Sequence, residues 1–397
     1  MHKKIITLVI AMSTAIGGTA ALGGLEARQA GPRFQVDPSW PLELPNNWIF
    51  GSITGVYVDA RQHVWVTHLP ETLTEEELGL VQKPPLGECC QAAPSVVEID
   101  PSGKVVGSFG DGSQDVSQWP RNPHGIFVDH NNFVWVGTHM HHRVMKFTRE
   151  GKHVLTIGVM DKNAGSNDTT LLGGPAGIYV DPKTNEAFIA DGYRNRRVIV
   201  FDGATGQYKR HWGAYGKRPD DEYFTRAGER LPSPFSGAVQ HENAPSQYDP
   251  DGPPPPQFRI VHVVRIANDG LVYVCDRTND RIQVFRKDGT FVKEGFVAKR
   301  TLGSGSVWDI GFSTDPAQTY LFVPDGTNQQ IWILRRDTLE VVGAFGGAGR
   351  WAGQFYGAHN LAVSAKGDLY ITETYEGKRV QKFVYDGLKP ALPRLIE

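Results

Sequence analysis

Apolar and polar residues alternate along most of the chain in short runs that end at Gly or Asp. The clearest run is GVYVD at residues 55–59, and it returns as GIFVD at 125–129 and GIYVD at 177–181. Apolar side chains at every second position indicate β-strands, whereas a helix would repeat them every three or four residues. Three less regular copies follow at 263–266, 309–312 and 360–363. One strand pattern therefore occurs six times.

Each copy is followed by further apolar runs of the same kind. Second strands are predicted at 64–66, 134–136, 187–189, 272–274, 321–323 and 369–371. A third run often begins with arginine, and Gly-containing turns such as 288–289 lead to a fourth. A four-stranded antiparallel unit cannot bury both of its faces alone, and radial stacking of such units solves that problem. The sequence predicts an all-β, six-bladed β-propeller with four antiparallel strands per blade, closed by a strand at 34–36.

Two insertions interrupt the repeat, near residues 70–94 and 215–257, within a single propeller domain predicted over 31–397. We expect both to be loops, and solvated surface and a role in shaping the channel mouth are equally compatible with them. The first insertion contains Cys89 and Cys90, and the third cysteine is Cys275. We interpret Cys275 as an unpaired strand residue and the adjacent pair as a stiffener of its loop. A disulfide between the neighbours and a soft-metal site are the alternatives.

Residues 1–30 have the composition of an export signal, with Lys3 and Lys4 before an apolar run and small residues. We expect cleavage between Ala20 and Ala30 and a periplasmic or secreted protein without membrane association, a retained anchor being the alternative. The chain has 41 basic and 43 acidic side chains, a net charge of −2. Because neither sign of charge is in large excess, the composition does not predict a nucleic-acid partner.

The residue before each first strand forms a second pattern. In chain order these residues are Thr54, His124, Ala176, His262, Trp308 and His359. First strands line the central channel of a propeller, and alternate blades of six lie about 120° apart. The three histidines are therefore predicted to converge on the axis and leave one position open. A catalytic zinc needs such a site, and copper is equally compatible with three imidazoles.

The other histidines are expected to lie outside this site. His139, His141 and His142 follow the second strand of the second blade, and His63 and His68 flank the equivalent strand of the first blade. Histidines in such turns are commonly solvated. We therefore predict that these five do not belong to the primary metal site.

The residues around the three histidines resemble NHL-repeat propellers, and among them the peptidyl-α-hydroxyglycine α-amidating lyases, also called peptidylamidoglycolate lyases. The likeness is densest at 123–129 and 134–147, and resumes at 191–197, 262–285 and 359–361. It covers about residues 48–385 except for the two insertions.

The resemblance implies a zinc-dependent lyase that splits a carbinolamide into an amide and glyoxylate. It implies that the three histidines hold zinc, that Tyr193 acts as a base or positions the hydroxyl, and that Arg277 lies in the active site. Such roles suit the chemistry, because a metal acidifies a hydroxyl and arginine can clamp a carboxylate. A structural calcium is also implied, at the carbonyls of Val56 and Ile126 and beside Asn360.

The chain departs from the resemblance at three positions. Leu69 stands where the amidating lyases have a second active-site arginine, Asn360 replaces an acidic calcium ligand, and Gly357 replaces a methionine. The expectation is a retained metal centre with a rebuilt substrate pocket.

Several functions are compatible with these features. The first is a metal-dependent lyase or hydrolase that acts on a small polar or hydroxylated, peptide-like substrate at the channel mouth. The second is a non-catalytic NHL propeller that binds peptide, glycan or protein, although that function has no need of three alternating histidines. A copper-dependent redox enzyme is a further alternative. A lactonase-like propeller would hold calcium through carboxylate and asparagine side chains, whereas this ring offers His, Thr, Ala and Trp.

Overall fold

The computed structural model of the chain describes residues 31–389, except 113, 114, 116, 120 and 224–248. The predicted export signal and the middle of the second insertion lie outside these residues. Within them, six four-stranded antiparallel sheets form a ring. This arrangement confirms the predicted six-bladed β-propeller. Across the described ranges, no helix has the length and apolar character needed to cross a membrane.

The strands of the first three blades follow one another along the chain. Blade 1 comprises Ser52–Val58, Val64–Leu69, Val96–Ile99 and Val105–Phe109; blade 2 comprises His124–Val128, Val134–Thr138, Arg143–Phe147 and His153–Ile157; blade 3 comprises Ile178–Val180, Glu186–Asp191, Arg197–Asp202 and Tyr208–Trp212.

The strands of blades 4 and 5 also follow one another along the chain, and blade 6 takes its fourth strand from the N-terminus. Blade 4 comprises Val261–Ile266, Val272–Asp276, Arg281–Phe285 and Phe291–Phe296; blade 5 comprises Gly311–Phe312, Tyr320–Asp325, Gln330–Arg335 and Val341–Gly346; blade 6 comprises Ala358–Val363, Leu369–Glu373, Val380–Lys389 and the N-terminal strand Gly31–Asp37.

The strand Gly31–Asp37 closes the ring. It runs antiparallel to Val380–Lys389, with Phe34 opposite Tyr385 and Val36 opposite Phe383. The prediction that residues 34–36 complete the final blade is therefore confirmed. This pairing joins the two ends of the described chain in one sheet and so completes the sixth blade.

The core lies between the blades. Each large apolar cluster joins two neighbouring sheets: Val56 and Val66 of blade 1, for example, pack with Ala362 and Tyr370 of blade 6. The same arrangement recurs at the other five junctions. The inner strands of each blade are buried on both faces in this way, whereas outermost strands such as Val105–Phe109 and Val341–Gly346 are partly exposed.

The Asp that ends many first strands has a structural role. Asp129 accepts the Trp135 indole N–H at 2.8 Å, and its other oxygen accepts the backbone N–H groups of Asn131 and Phe133. Asp59 accepts the Trp65 indole N–H at 3.0 Å in blade 1. A buried indole N–H needs such a partner, which explains why Asp and Trp recur together in these two blades.

The first insertion carries only short elements. It contains the 3-10 turns Pro70–Thr72 and Gly79–Val81 and the strand Gln91–Ala92, which pairs with Trp48–Ile49. Cys89 and Cys90 form a disulfide with each other, which was one of the alternatives considered, and Cys275 is a free, buried strand residue, as expected. Elsewhere in the described part of the chain, 3-10 turns lie at Pro45–Asn47, Ala214–Gly216 and Arg277–Asn279.

Candidate metal centre at the channel mouth

A backbone bulge lies at or directly beside each of the three histidines. The strand register shifts between His124 and Ile126, between Val261 and Val263, and between Ala358 and Leu361. A bulge leaves a residue outside the regular ladder and redirects its side chain, so bulges are frequent beside active sites.

The bulge in blade 2 requires glycine. Gly125 has φ +75°, and a Cβ atom there would lie 2.0 Å from the carbonyl oxygen of Ala176 in the next blade. The Gly that follows His124 therefore permits close packing of two first strands.

The three imidazoles converge, as predicted from their equivalent positions in alternate blades. Their centroids are 5.1 Å apart for His124 and His262, 5.1 Å for His124 and His359, and 5.0 Å for His262 and His359. One ring nitrogen of each lies within 4.8 Å of the others, and all three side chains are buried. This near-equilateral arrangement fits one small cation; that it binds metal stays a prediction.

The electrostatics of these histidines also fit a metal. Burial lowers the pKa of His262 well below its usual value, and the nearby Arg277 charge lowers it further. Burial and the neighbouring imidazoles lower the pKa of His124 in the same way. Both rings are therefore neutral near pH 7, which is the form that binds metals.

A hydrogen bond fixes the tautomer of His262. Its Nδ1 lies 2.5 Å from the carbonyl oxygen of Trp308, so Nδ1 must carry the proton. The lone pair is then on Nε2, which is buried and has no hydrogen-bond partner among the described residues. Metal-binding histidines are commonly oriented by a bond of this kind, and a bound cation would satisfy the remaining nitrogen.

Tyr193 and Arg277 lie beside the histidines. The Tyr193 hydroxyl is 3.1 Å from His124 Nε2, and Arg277 Nη1 is 3.4 Å from that hydroxyl. The guanidinium of Arg277 also stacks on the Trp308 ring, 4.4 Å from its centroid. The structure thus brings both candidate catalytic side chains to the cluster, although their catalytic roles remain untested.

The aspartates that end the second strands of blades 3 and 4 have a structural role. Asp191 accepts Gly173 N–H at 2.7 Å, Asn195 Nδ2 at 2.8 Å and Arg197 Nε at 2.9 Å, and the Asp191 and Arg197 side chains are fully buried. Asp276 pairs with Arg281 in the same way. These pairs hold the turns that carry Tyr193 and Arg277.

His139 is half-buried beside the histidine cluster instead of solvated, while its predicted place outside the primary metal site stays a prediction. Its ring centroid is 5.0 Å from that of His124 and 4.6 Å from that of Tyr193, with a tilt of 36° to the phenol ring. The turn after Thr138 places the ring there, in a tight bend that ends at His142 with φ +56°. The other three histidines were predicted from their position relative to the first strand. That position gives no information about a residue in a turn.

Other histidines differ from the expectation of solvated turns but do not join the centre. His68 is buried, accepts Gly51 N–H at Nδ1 and lies 3.0 Å from the Pro94 carbonyl through Nε2. Burial lowers its pKa to about 4. His142 is also buried, whereas His141 bonds Asp161 at 2.8 Å.

A second group of potential metal ligands is already neutralised. Asp59, His63 and Glu98 lie close together. Arg149 forms ion pairs with both carboxylates, at 2.7 Å from Asp59 Oδ2 and in close contact with Glu98. A built-in cation therefore stabilises this cluster.

The fold and the site together define a six-bladed propeller with three buried histidines at its channel. Comparison with known proteins shows which proteins have similar sequences. The chain matches no protein-family model. It is 24% identical over 344 residues to a probable peptidyl-α-hydroxyglycine α-amidating lyase of Caenorhabditis elegans, which covers 81% of this chain and 80% of that protein.

Two further relatives agree with this. The chain is 27% identical over 265 residues, 65% of its length, to peptidyl-glycine α-amidating monooxygenase B of Xenopus laevis, of which it spans about a quarter (25%). It is 27% identical over 282 residues to human NHL repeat-containing protein 3, covering 66% of each. The predicted resemblance to NHL and amidating-lyase propellers is confirmed. Among solved structures, virginiamycin B lyase from Staphylococcus aureus aligns over 90% of both chains at 14% identity, with a TM-score of 0.46.

Proposed function

We propose that the protein is a metal-dependent lyase, with zinc held by His124, His262 and His359, that cleaves a small N-acyl-α-hydroxyglycine into an amide and glyoxylate. The observation that supports it most is the convergence of three buried imidazoles with a tyrosine hydroxyl and an arginine. A binding propeller would have no use for this set of groups. The amidating-lyase relatives are consistent with it.

The reaction needs a proton acceptor at the substrate hydroxyl. Tyr193, as the phenolate, accepts that proton while the carbon–nitrogen bond breaks. The O–H electron pair forms the new carbonyl, the C–N pair goes to nitrogen, and nitrogen takes up a proton to give the primary amide. When bound, the metal supplies Lewis acidity that acidifies the hydroxyl and stabilises negative charge on oxygen.

Arg277 supports this step in two ways. Its positive charge 3.4 Å from the Tyr193 hydroxyl favours the phenolate. Its planar guanidinium can also bind the substrate carboxylate through two hydrogen bonds. Trp308 fixes the arginine by stacking and fixes His262 through its carbonyl, so one residue aligns both groups.

The sequence resemblance implies that the substrate pocket differs from that of the amidating lyases at Leu69. This residue ends the second strand of blade 1, and its side chain offers no charge where those enzymes have arginine. We therefore propose a substrate that makes one arginine contact instead of two, and thus an acyl group different from that of amidated peptides.

Elemental analysis of the purified protein tests the metal. The expected result is about one zinc per chain, lost in a His124→Ala/His262→Ala/His359→Ala variant. His130→Ala is the matched control, because that histidine is exposed in a turn of blade 2 and its loss should leave the metal in place. Absence of transition metal in the wild type after incubation with zinc would overturn the metalloenzyme and favour a binding propeller.

Glyoxylate release from N-acyl-α-hydroxyglycines then tests the reaction. Metal-dependent release is expected from the zinc protein and not from the triple variant. A zinc protein that releases none from a panel of acyl groups would refute the lyase while leaving the metal site intact. Copper at one per chain would instead favour the redox alternative.

A further inference from the structure

Arg265 holds an unusual position in the channel. Three residues after the histidine ring, the first strands carry Tyr57, Phe127, Tyr179, Arg265, Gly311 and Ala362. Arg265 is the charged member of this second ring, and the next two blades contribute only small side chains. The guanidinium extends from blade 4 toward blades 5 and 6.

It reaches a buried carboxylate in blade 5. Nη2 of Arg265 lies 3.1 Å from Oδ1 and 3.2 Å from Oδ2 of Asp309, whose side chain is fully buried. Asp309 also accepts Asn360 Nδ2 at 3.0 Å and the backbone N–H of Leu361 at 3.2 Å, both from blade 6. The N–H of Ile310 donates to Oδ1 at 2.7 Å. One arginine and one carboxylate thus connect three consecutive blades.

This network lies where the sequence resemblance implies calcium. Val56, Ile126 and Asn360 line a small cavity in the channel, and Arg265 lines the same cavity. Calcium takes six to eight oxygen ligands, usually with carboxylates among them. No residue that lines the cavity is acidic, and Asp309 already accepts four donors. These residues do not fit a divalent cation.

We propose that the Arg265 guanidinium replaces the calcium ion as the cation that holds the channel strands together. One substitution then accompanies the other. Asn360 replaces an acidic calcium ligand, and an arginine in the same cavity supplies the positive charge. The Oδ1 of Asn360 has no hydrogen-bond partner among the described residues. A single neutral oxygen of this kind suits a water molecule. The stability of this propeller is therefore independent of calcium.

Thermal unfolding of the zinc-loaded protein, with and without millimolar CaCl2, tests the proposal independently of any lyase activity. The wild-type Tm is expected not to change. The Arg265→Ala/Asn360→Asp variant removes the guanidinium and returns a carboxylate, so its Tm should fall by several degrees without calcium and rise when calcium is added. Arg265→Lys, which keeps the charge, is the matched control and should not respond to calcium.

Three results would overturn the proposal. The first is a wild-type Tm that rises with calcium, and the second is one calcium bound per wild-type chain by elemental analysis. The third is an Arg265→Ala protein as stable as the wild type in calcium-free buffer. If the double variant does not fold, the wild-type measurement still decides between guanidinium and calcium.

Discussion

Replacement of Arg281 by methionine should weaken both the fold and the candidate active site. The Arg281 guanidinium donates to Asp276 Oδ2 from Nε at 3.0 Å and from Nη2 at 2.7 Å. It also donates to the carbonyl oxygens of Pro255 at 2.8 Å and Gln257 at 3.2 Å, at the end of the second insertion. Between the two partners of this ion pair lies the turn Arg277–Asn279, which carries the candidate active-site arginine.

The size of the effect follows from burial. In Arg281→Met, Asp276 keeps the Asn279 side chain and the Arg259 backbone N–H as donors, but its charge loses its cation in a fully buried place. Breaking a buried ion pair by removing one partner costs about 3–5 kcal/mol. With an unfolding entropy of about 0.75 kcal/mol/K for a propeller of this length, Tm should fall by roughly 4–7 °C.

Thermal unfolding followed by circular dichroism measures this change, and metal content and turnover are measured on the same protein. Turnover should fall while zinc stays, because Arg277 is displaced and the histidines are not. The control is Asp276→Asn/Arg281→Met, which removes both charges and should cost less than the sum of the two single variants. The reasoning would be refuted if the Tm of Arg281→Met lay within 1 °C of the wild-type Tm. It would also be refuted if the free-energy costs of the two single variants added up to that of the double variant.

Three further changes have defined outcomes. Tyr193→Phe removes the hydroxyl but keeps the ring, so turnover should fall by about 10²–10⁴ with unchanged zinc content, and full activity would exclude Tyr193 as the base. His139→Phe should retain the stacking on Tyr193 and most activity, whereas His139→Ala should lose about ten- to a hundredfold in turnover, and equal activities would contradict a positioning role. Burial raises the pKa of Asp280 from 3.8 to about 8, so the folded state holds a proton that the unfolded state releases. Wild-type stability should therefore fall as pH rises from about 4 to about 8, and Asp280→Asn should lack this fall in a pH series of Tm.

The sequence alone determined the architecture and the central part of the candidate site. Six copies of one strand pattern permit radial stacking and little else, and a repeat maps each residue to a ring position. For that reason the occurrence of His124, His262 and His359 in every second repeat was enough to predict convergence at the axis. The resemblance added Tyr193 and Arg277, and the structure places both within hydrogen-bonding distance of the cluster or of each other.

Only the tertiary structure decided which side chains from different blades meet. His139 lies in a turn, where the strand repeat sets no direction, and only the folded bend brings it to Tyr193. Arg265 and Asp309 belong to different ring positions of neighbouring blades, and their ion pair forms only in the folded ring. A sequence repeat specifies where each strand stands in the ring. The reach of a long side chain depends on the volumes of its neighbours in three dimensions, which no periodicity records.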